Sequence, residues 1–168
     1  KHTLVAVYRQ MVNSGEMEKS PQLLARIRMK PTRTLSGVTT VTVLTKPYTC
    51  PGKCIFCPND EELPKSYLRK EPGAARAYQN KFDPFKQVSS RIESYQAIGH
   101  PTDKIELLIL GGSWTAYPRD YQDWFINREL RLRPRVRPQT LVQAQSQNES
   151  AKHRNVGLVI ETRPDEIT

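Results

Sequence analysis

All three cysteines of the chain, Cys50, Cys54 and Cys57, fall within eight positions of one stretch, TKPYTCPGKCIFCPND, residues 45–60. Three thiolates at C-x3-C-x2-C spacing on a tight loop suit three irons of a cubane 4Fe-4S cluster. The fourth iron then lacks a protein ligand, and that open corner makes such a site reactive, where a four-cysteine site serves mainly electron transfer or structure. Pro51 and Gly52 help the loop turn, glycine permitting backbone conformations closed to other residues, and Pro58 ends the segment. Two other readings stay open: a zinc site borrowing His2, His100 or His153 as fourth ligand, or unremarkable reduced thiols. Zinc sites usually show paired C-x2-C, or C-x2-C with H-x3-H, and this chain has neither. Three cysteines cannot all pair, and so close a spacing argues for a reducing compartment rather than a disulfide framework.

A loop of this kind needs elements to hold it. The β-branched run Val38–Leu44 predicts a first strand immediately before it, closed by Lys46-Pro47. KIELLILGG predicts a second strand, apolar on both faces, and VGLVIE a third. Between them, Phe85, Val88, Ile92 and Tyr95 mark a helix stopping at Gly99; Tyr121, Trp124 and Phe125 mark another, with Asp120 as candidate cap; QTLVQAQSQNES reads as a polar helix. Leu4, Tyr8, Met11 and Val12 define an amino-terminal helix, and SPQLLARIRMK a second, with Ser20 as N-cap and Pro21 in its first turn. Pro58 to Pro84 reads as polar and irregular. Strand, loop, helix, strand, helix, strand implies an α/β fold with a parallel sheet and right-handed crossovers, in which chemistry collects at the carboxyl ends of the strands. The cysteine loop, Gly111-Gly112-Ser113 and Glu161 all sit at such ends. By itself a Gly pair is more often a turn, and Glu161 a solvent-facing strand end.

The net charge is +9 and unevenly spread: residues 1–53 carry +7, 54–127 carry −1 and 128–168 carry +3. Arg26, Arg28, Lys30 and Arg33, and further on Arg128, Arg131, Arg133, Arg135 and Arg137, could line the phosphates of a polyanion, or form a solvated face. An apolar content of 37% with 26% charged residues is that of a globular protein. No run of about 18 apolar residues appears, and KHTLVAVYRQMVNSGE lacks a secretory signal's apolar core, so no membrane association and a cytoplasmic address are expected.

The cysteine triplet resembles the signature of the radical S-adenosylmethionine enzymes, with Phe56 as the aromatic residue before the last cysteine. The resemblance implies that the open iron is chelated by S-adenosylmethionine, which one electron cleaves to methionine and a 5′-deoxyadenosyl radical. It also implies cofactor contacts from Phe56 to the adenine, from Gly111 and Gly112 to the methionine amino group, and from Glu161 to amino or ribose groups. Many family members continue the Gly pair with Glu; here Ser113 follows. The segments RTLSGVTTVTVLTKPYTCPGKCIFCP, YLRKEPGAARAYQNKFDPF, RIESYQAIGHPTDKIELLILGGSW and GLVIETRPDEIT are similar to successive pieces of the Elongator catalytic-subunit family, from about Leu24 onward.

That similarity implies a partial TIM-like radical S-adenosylmethionine barrel over residues 37–168, preceded by a basic helical segment, 1–36, as candidate RNA-binding element. The later strands and the family's acetyltransferase-like domain are expected beyond residue 168, within a longer protein, because a sheet ending at VGLVIE leaves an apolar edge prone to pairing. The implied activity is transfer RNA modification: a carboxymethyl-type group placed on carbon 5 of the wobble uridine, with acetyl-coenzyme A as co-substrate. Implied partners are transfer RNA, an electron donor for the cluster, and other Elongator-type subunits or a second copy. Two alternatives stay open, a zinc- or cluster-containing RNA-binding module without catalysis and a radical enzyme acting on a small molecule. Trp114 and Tyr117 are candidates for stacking on bases, whereas the helical spacing of Tyr121 and Trp124 favours core packing.

Overall fold

A computed structural model describes residues 2–58, 60–130 and 140–167. The described elements are helices α1 (His2–Ser14), α2 (Pro21–Ile27), α3 (Pro72–Gln79), α4 (Pro84–Ala97), α5 (Arg119–Glu129) and α6 (Leu141–Glu149), and strands β1 (Thr39–Leu44), β2 (Lys104–Leu110) and β3 (Arg154–Ile160).

The strands are parallel and lie in sequence order, β1-β2-β3, with Thr39 beside Ile105 and Leu44 beside Leu110. Consecutive neighbours in chain order are what an arc of a β/α barrel requires; a doubly wound sheet reverses its order at a switch point. Alternation along β1 and β2 sends Val41, Val43, Ile105, Leu107 and Ile109 to one face, where Val88, Ile92 and Tyr95 of α4 and Phe125 of α5 close the core. The other face carries Thr40, Thr42, Glu106 and Leu108, and at its carboxyl end Leu44 and Leu110 pack with Leu63, Ala74 and Ala77. In β3 the side chains of Val156, Leu158 and Val159 remain 41–45% exposed, as expected of an apolar strand at the limit of a sheet.

Local chemistry fixes the helix starts. Ser20 accepts the Leu23 amide and caps α2, while Asp83 Oδ1 accepts the Lys86 amide at 3.1 Å and caps α4. Asp120, expected as a cap, lies instead in the first turn of α5, and Pro118 occupies the capping position. Helix α3 interrupts a segment expected to be irregular; its signal was small, Pro72 at the first turn and Ala74 and Ala77 one turn apart, and packing on Leu44 supplies the rest. Of the aromatic residues, Trp114 and Tyr117 are buried and cannot stack on bases, whereas Trp124, expected in the core, is 45% exposed. No described helix is long and apolar enough to cross a membrane.

Candidate active site

Thr45, the buried residue after β1, ties the ends of β1 and β2 together. Its hydroxyl lies 2.8 Å from that of Tyr117 and 3.3 Å from the Gly111 carbonyl, and Tyr117 donates on to the Lys46 carbonyl at 2.7 Å. Gly111 has φ +141°, and a Cβ there would fall 1.8 Å from Thr45 Oγ1, so only glycine lets the two loops close on each other. Above this junction opens a cavity of about 370 Å³, within the range of small-molecule sites. Its walls bring together Cys50, Cys54, Cys57, Gly112, Ser113 and Glu161, so residues following all three strands meet there.

The structure distinguishes among the expected site residues. Glu161 reaches the cavity and is oriented from two sides: Tyr67 donates its hydroxyl to Oε2 at 2.6 Å, and the Gly111 amide lies 3.4 Å from the same oxygen. Gly112 lines the cavity; Gly111 is buried behind it and acts through its amide and carbonyl. Phe56 is 86% exposed and does not line the cavity. Cys57 Sγ lies 3.2 Å from Ser66 Oγ, and the Arg163 guanidinium lies 3.6 Å from Cys54 Sγ. Sequence reasoning singled out none of Lys65, Ser66 or Arg163, which meet the cysteines at the cavity only through the fold, nor Tyr67, which meets Glu161; Arg163 was visible solely as part of ETRPD. Burial, then the Glu161 hydrogen bond and charge, push the Tyr67 hydroxyl far above its ordinary value, so it remains a donor.

The donor set fits an iron-sulfur cluster. Among the described residues no three His, Cys, Asp or Glu side chains are drawn into metal-holding geometry, but the three thiols face one cavity whose walls also carry Lys53, Lys65 and Arg163 against the single carboxylate of Glu161. Soft thiolates in a cationic cavity suit an anionic thiolate-ligated cluster. A zinc site completed by histidine finds no support: His100, before β2, has Nδ1 2.9 Å from Thr34 Oγ1, and His153, before β3, has Nδ1 2.7 Å from the Thr102 carbonyl, so both stand at the amino ends of strands whose carboxyl ends carry the cavity. The side chain of His2 lies outside the described residues.

The basic residues separate likewise. Arg26, Lys30 and Arg33 are exposed, but Arg28 donates Nε to the Gly99 carbonyl at 2.8 Å and is a structural tie. The bonds of Arg28 to Gly99 and of Thr34 to His100 place this segment beside the residues that lead into β2, at the end of the strand away from the cavity. Arg76 of α3 and Arg91 of α4 add to this positive field: after burial, the charges of Arg91 and Arg33 act to lower the pKa of Arg76. Arg128 is paired with Asp83 through Nε at 2.9 Å, and Arg131, Arg133, Arg135 and Arg137 lie outside the described residues.

A parallel α/β arc with a three-thiol cavity at the carboxyl ends of its strands is the class of protein that the fold and site define. Comparison with known proteins carries this further. No protein-family model matches the chain. A protein of Methanocaldococcus infernus named tRNA uridine(34) acetyltransferase is 48% identical over 154 residues, 88% of this chain and 29% of its own length. Elongator complex protein 3 of Drosophila melanogaster is 34% identical over 85% of this chain and 28% of its own. The solved structure of the Methanocaldococcus infernus Elp3 with an N-terminal deletion shares the fold, with a TM-score of 0.59 and 39% identity over 79% of this chain and 24% of that one. The chain is a homologue of the Elongator catalytic-subunit proteins over the segment they share, and it spans less than a third of the length of these relatives.

Proposed function

We propose that the chain is the cluster-bearing, S-adenosylmethionine-cleaving part of an enzyme that modifies the wobble uridine of transfer RNA. The observation that carries this reading is the single cavity in which Cys50, Cys54 and Cys57 face Gly112 and Glu161. Three thiolates from one loop would hold the cluster, leaving one corner for a chelating ligand. When bound, the cluster and S-adenosylmethionine supply one-electron cleavage of a sulfonium and hence a carbon radical. Gly112 offers backbone at close range, and the Glu161 carboxylate, held by Tyr67 and Gly111, offers an acceptor for the cofactor's ammonium or ribose hydroxyls. Phe56 contributes to adenine binding only if the cysteine loop closes over the ligand.

The substrate class is supported by the names of the relatives and by the positive amino-terminal field, which suits an RNA backbone presenting an unstacked base. The finer reaction is carboxymethylation at carbon 5 with acetyl-coenzyme A as carbon source, a co-substrate in keeping with relatives named as acetyltransferases. An electron donor, and Elongator-type subunits or a second copy, are the partners this reading requires.

The test is anaerobic reconstitution of the full protein with iron and sulfide, reduction, and assay for 5′-deoxyadenosine. Brown protein that forms it, and a colourless, inactive Cys54→Ala variant, are expected. Colourless zinc protein, or iron protein with all four corners bound by side chains, overturns the reading.

A further inference from the structure

Arg163 is tethered at both ends of its guanidinium. Nε donates to Asp165 Oδ1 at 3.0 Å, Nη2 pairs with Asp165 Oδ2, and Nη1 reaches Cys54 Sγ at 3.6 Å. The turn Pro164–Glu166 fixes the spacing, closed by the Glu166 amide on the Arg163 carbonyl at 3.1 Å. Across the cavity, Gly52 makes the approach possible: a Cβ there would lie 1.8 Å from Arg163 Nη1 and 2.8 Å from Cζ. Gly52 therefore does more than let the loop turn. Its missing side chain is the space in which the guanidinium sits.

We propose that Arg163 is a positioning residue that tunes the cysteine-held cluster, delivering one N–H and a full positive charge to the Cys54 sulfur from a fixed arm on Asp165. The proposal rests on the cluster reading above. One-electron reduction adds a negative charge without making or breaking a bond, and hydrogen bonds to cluster sulfurs and nearby charge set the potential at which it occurs. A cation beside a ligand sulfur stabilises the reduced state and raises that potential. Arginine suits the task because it is always charged and its planar fork serves two partners at once. Asp165 leaves its own charge on the far side of the guanidinium from the sulfur.

The experiment is a dye-mediated titration with dithionite on the full, reconstituted protein, followed by electron paramagnetic resonance. Arg163→Gln removes the charge, Gly52→Ala expels the arm while keeping it in the chain, and Arg163→Lys restores the charge without the fork. The expected result is a midpoint potential shifted negative in Arg163→Gln and Gly52→Ala and partly restored in Arg163→Lys, with iron per chain unchanged in whichever variants assemble. Midpoints that coincide with the unmodified protein, or move positive, overturn the proposal. So does failure of both Arg163→Gln and Gly52→Ala to hold a cluster, which would assign Arg163 to loop folding alone. Absence of a cluster from the unmodified protein would instead strike the reading of the site itself.

Discussion

The Tyr67 hydroxyl and Glu161 Oε2 stand 2.6 Å apart across 94 residues of sequence, joining the segment after the cysteine loop to the end of β3. That bond aims the carboxylate into the cavity. Under the proposed function, Tyr67→Phe frees Glu161 and lowers affinity for S-adenosylmethionine about 3- to 10-fold, since a net hydrogen bond is worth ~1 kcal/mol. Calorimetric titration with iron content measured in parallel checks it. Lost iron with unchanged affinity would make Tyr67 a prop of the loop.

Alkaline titration reads the same packing. Burial, ahead of all other causes, raises the pKa of Tyr67 and Tyr121 well above the ordinary value and pushes Tyr117 up to about 12. A raised folded-state pKa contributes stability that is fully present below the unfolded value near 10 and is lost as pH rises toward the folded one. Tyr67, Tyr117 and Tyr121 should therefore fail to show phenolate absorbance at pH ~11 until the protein unfolds, each tested by the absorbance lost in its Phe variant. Phenolate absorbance from these three at pH ~10 would place their rings in solvent.

Strand positions, the cysteine triplet and the strand-end placement of Gly112 and Glu161 were legible because each is local: β-branched runs, a fixed thiol spacing, a turn signal after an apolar stretch. What tertiary contact decides was not. Helix α3 forms because Ala74 and Ala77 find Leu44, and its sequence alone is too short and too weakly apolar to announce it. Arg28 looks like any member of a basic cluster until Gly99 arrives beside it, and Trp114 becomes core through contacts that include Phe125 of α5. Arg163 and Tyr67 lie 109 and 94 residues from the partners that give them meaning, so no pattern in one sequence could join them.

Gly111→Ala should be the most damaging single change at the strand ends outside the cysteines. The left-handed φ strains any side chain, and the new Cβ strikes Thr45 Oγ1 at the junction of β1 and β2. Strain and overpacking each cost ~1–3 kcal/mol, so a loss of about 2–6 kcal/mol is expected in urea unfolding. Gly112→Ala makes a useful contrast, because its Cβ would meet Lys65 only at ordinary contact distance, leaving φ strain alone. Equal losses at the two positions would refute the role assigned to the Thr45 contact.

Glu129 is fully buried on α5 with neither carboxylate oxygen hydrogen-bonded among the described residues, and burial raises its pKa well above the ordinary value. Its contribution to stability is therefore present below the unfolded pKa near 4.5 and lost as pH rises through the folded one. Glu129→Met keeps the length and removes the penalty, so it should stabilise the protein by about 1–3 kcal/mol at pH ~7.5, with the gain shrinking toward pH ~4.5. Urea unfolding at the two pH values decides, and a variant less stable at the higher pH would mean that the carboxylate has a polar partner.

The basic amino-terminal residues make opposite predictions for stability and for RNA. Arg28 spends its Nε on the Gly99 carbonyl, so Arg28→Gln should lower unfolding free energy by about 1 kcal/mol. Arg26 and Arg33 are exposed, and their Gln variants should stay within ~0.5 kcal/mol of the unmodified protein. If these residues neutralise RNA phosphates, each of the Arg26→Gln and Arg33→Gln variants should weaken transfer RNA binding uniformly across sequences and reduce the log–log salt slope by about one. Filter binding over a series of salt concentrations measures this. Slopes identical to that of the unmodified protein would move the RNA path off the amino-terminal edge of the sheet and toward the cavity face, where Lys53, Lys65 and Arg163 line the wall.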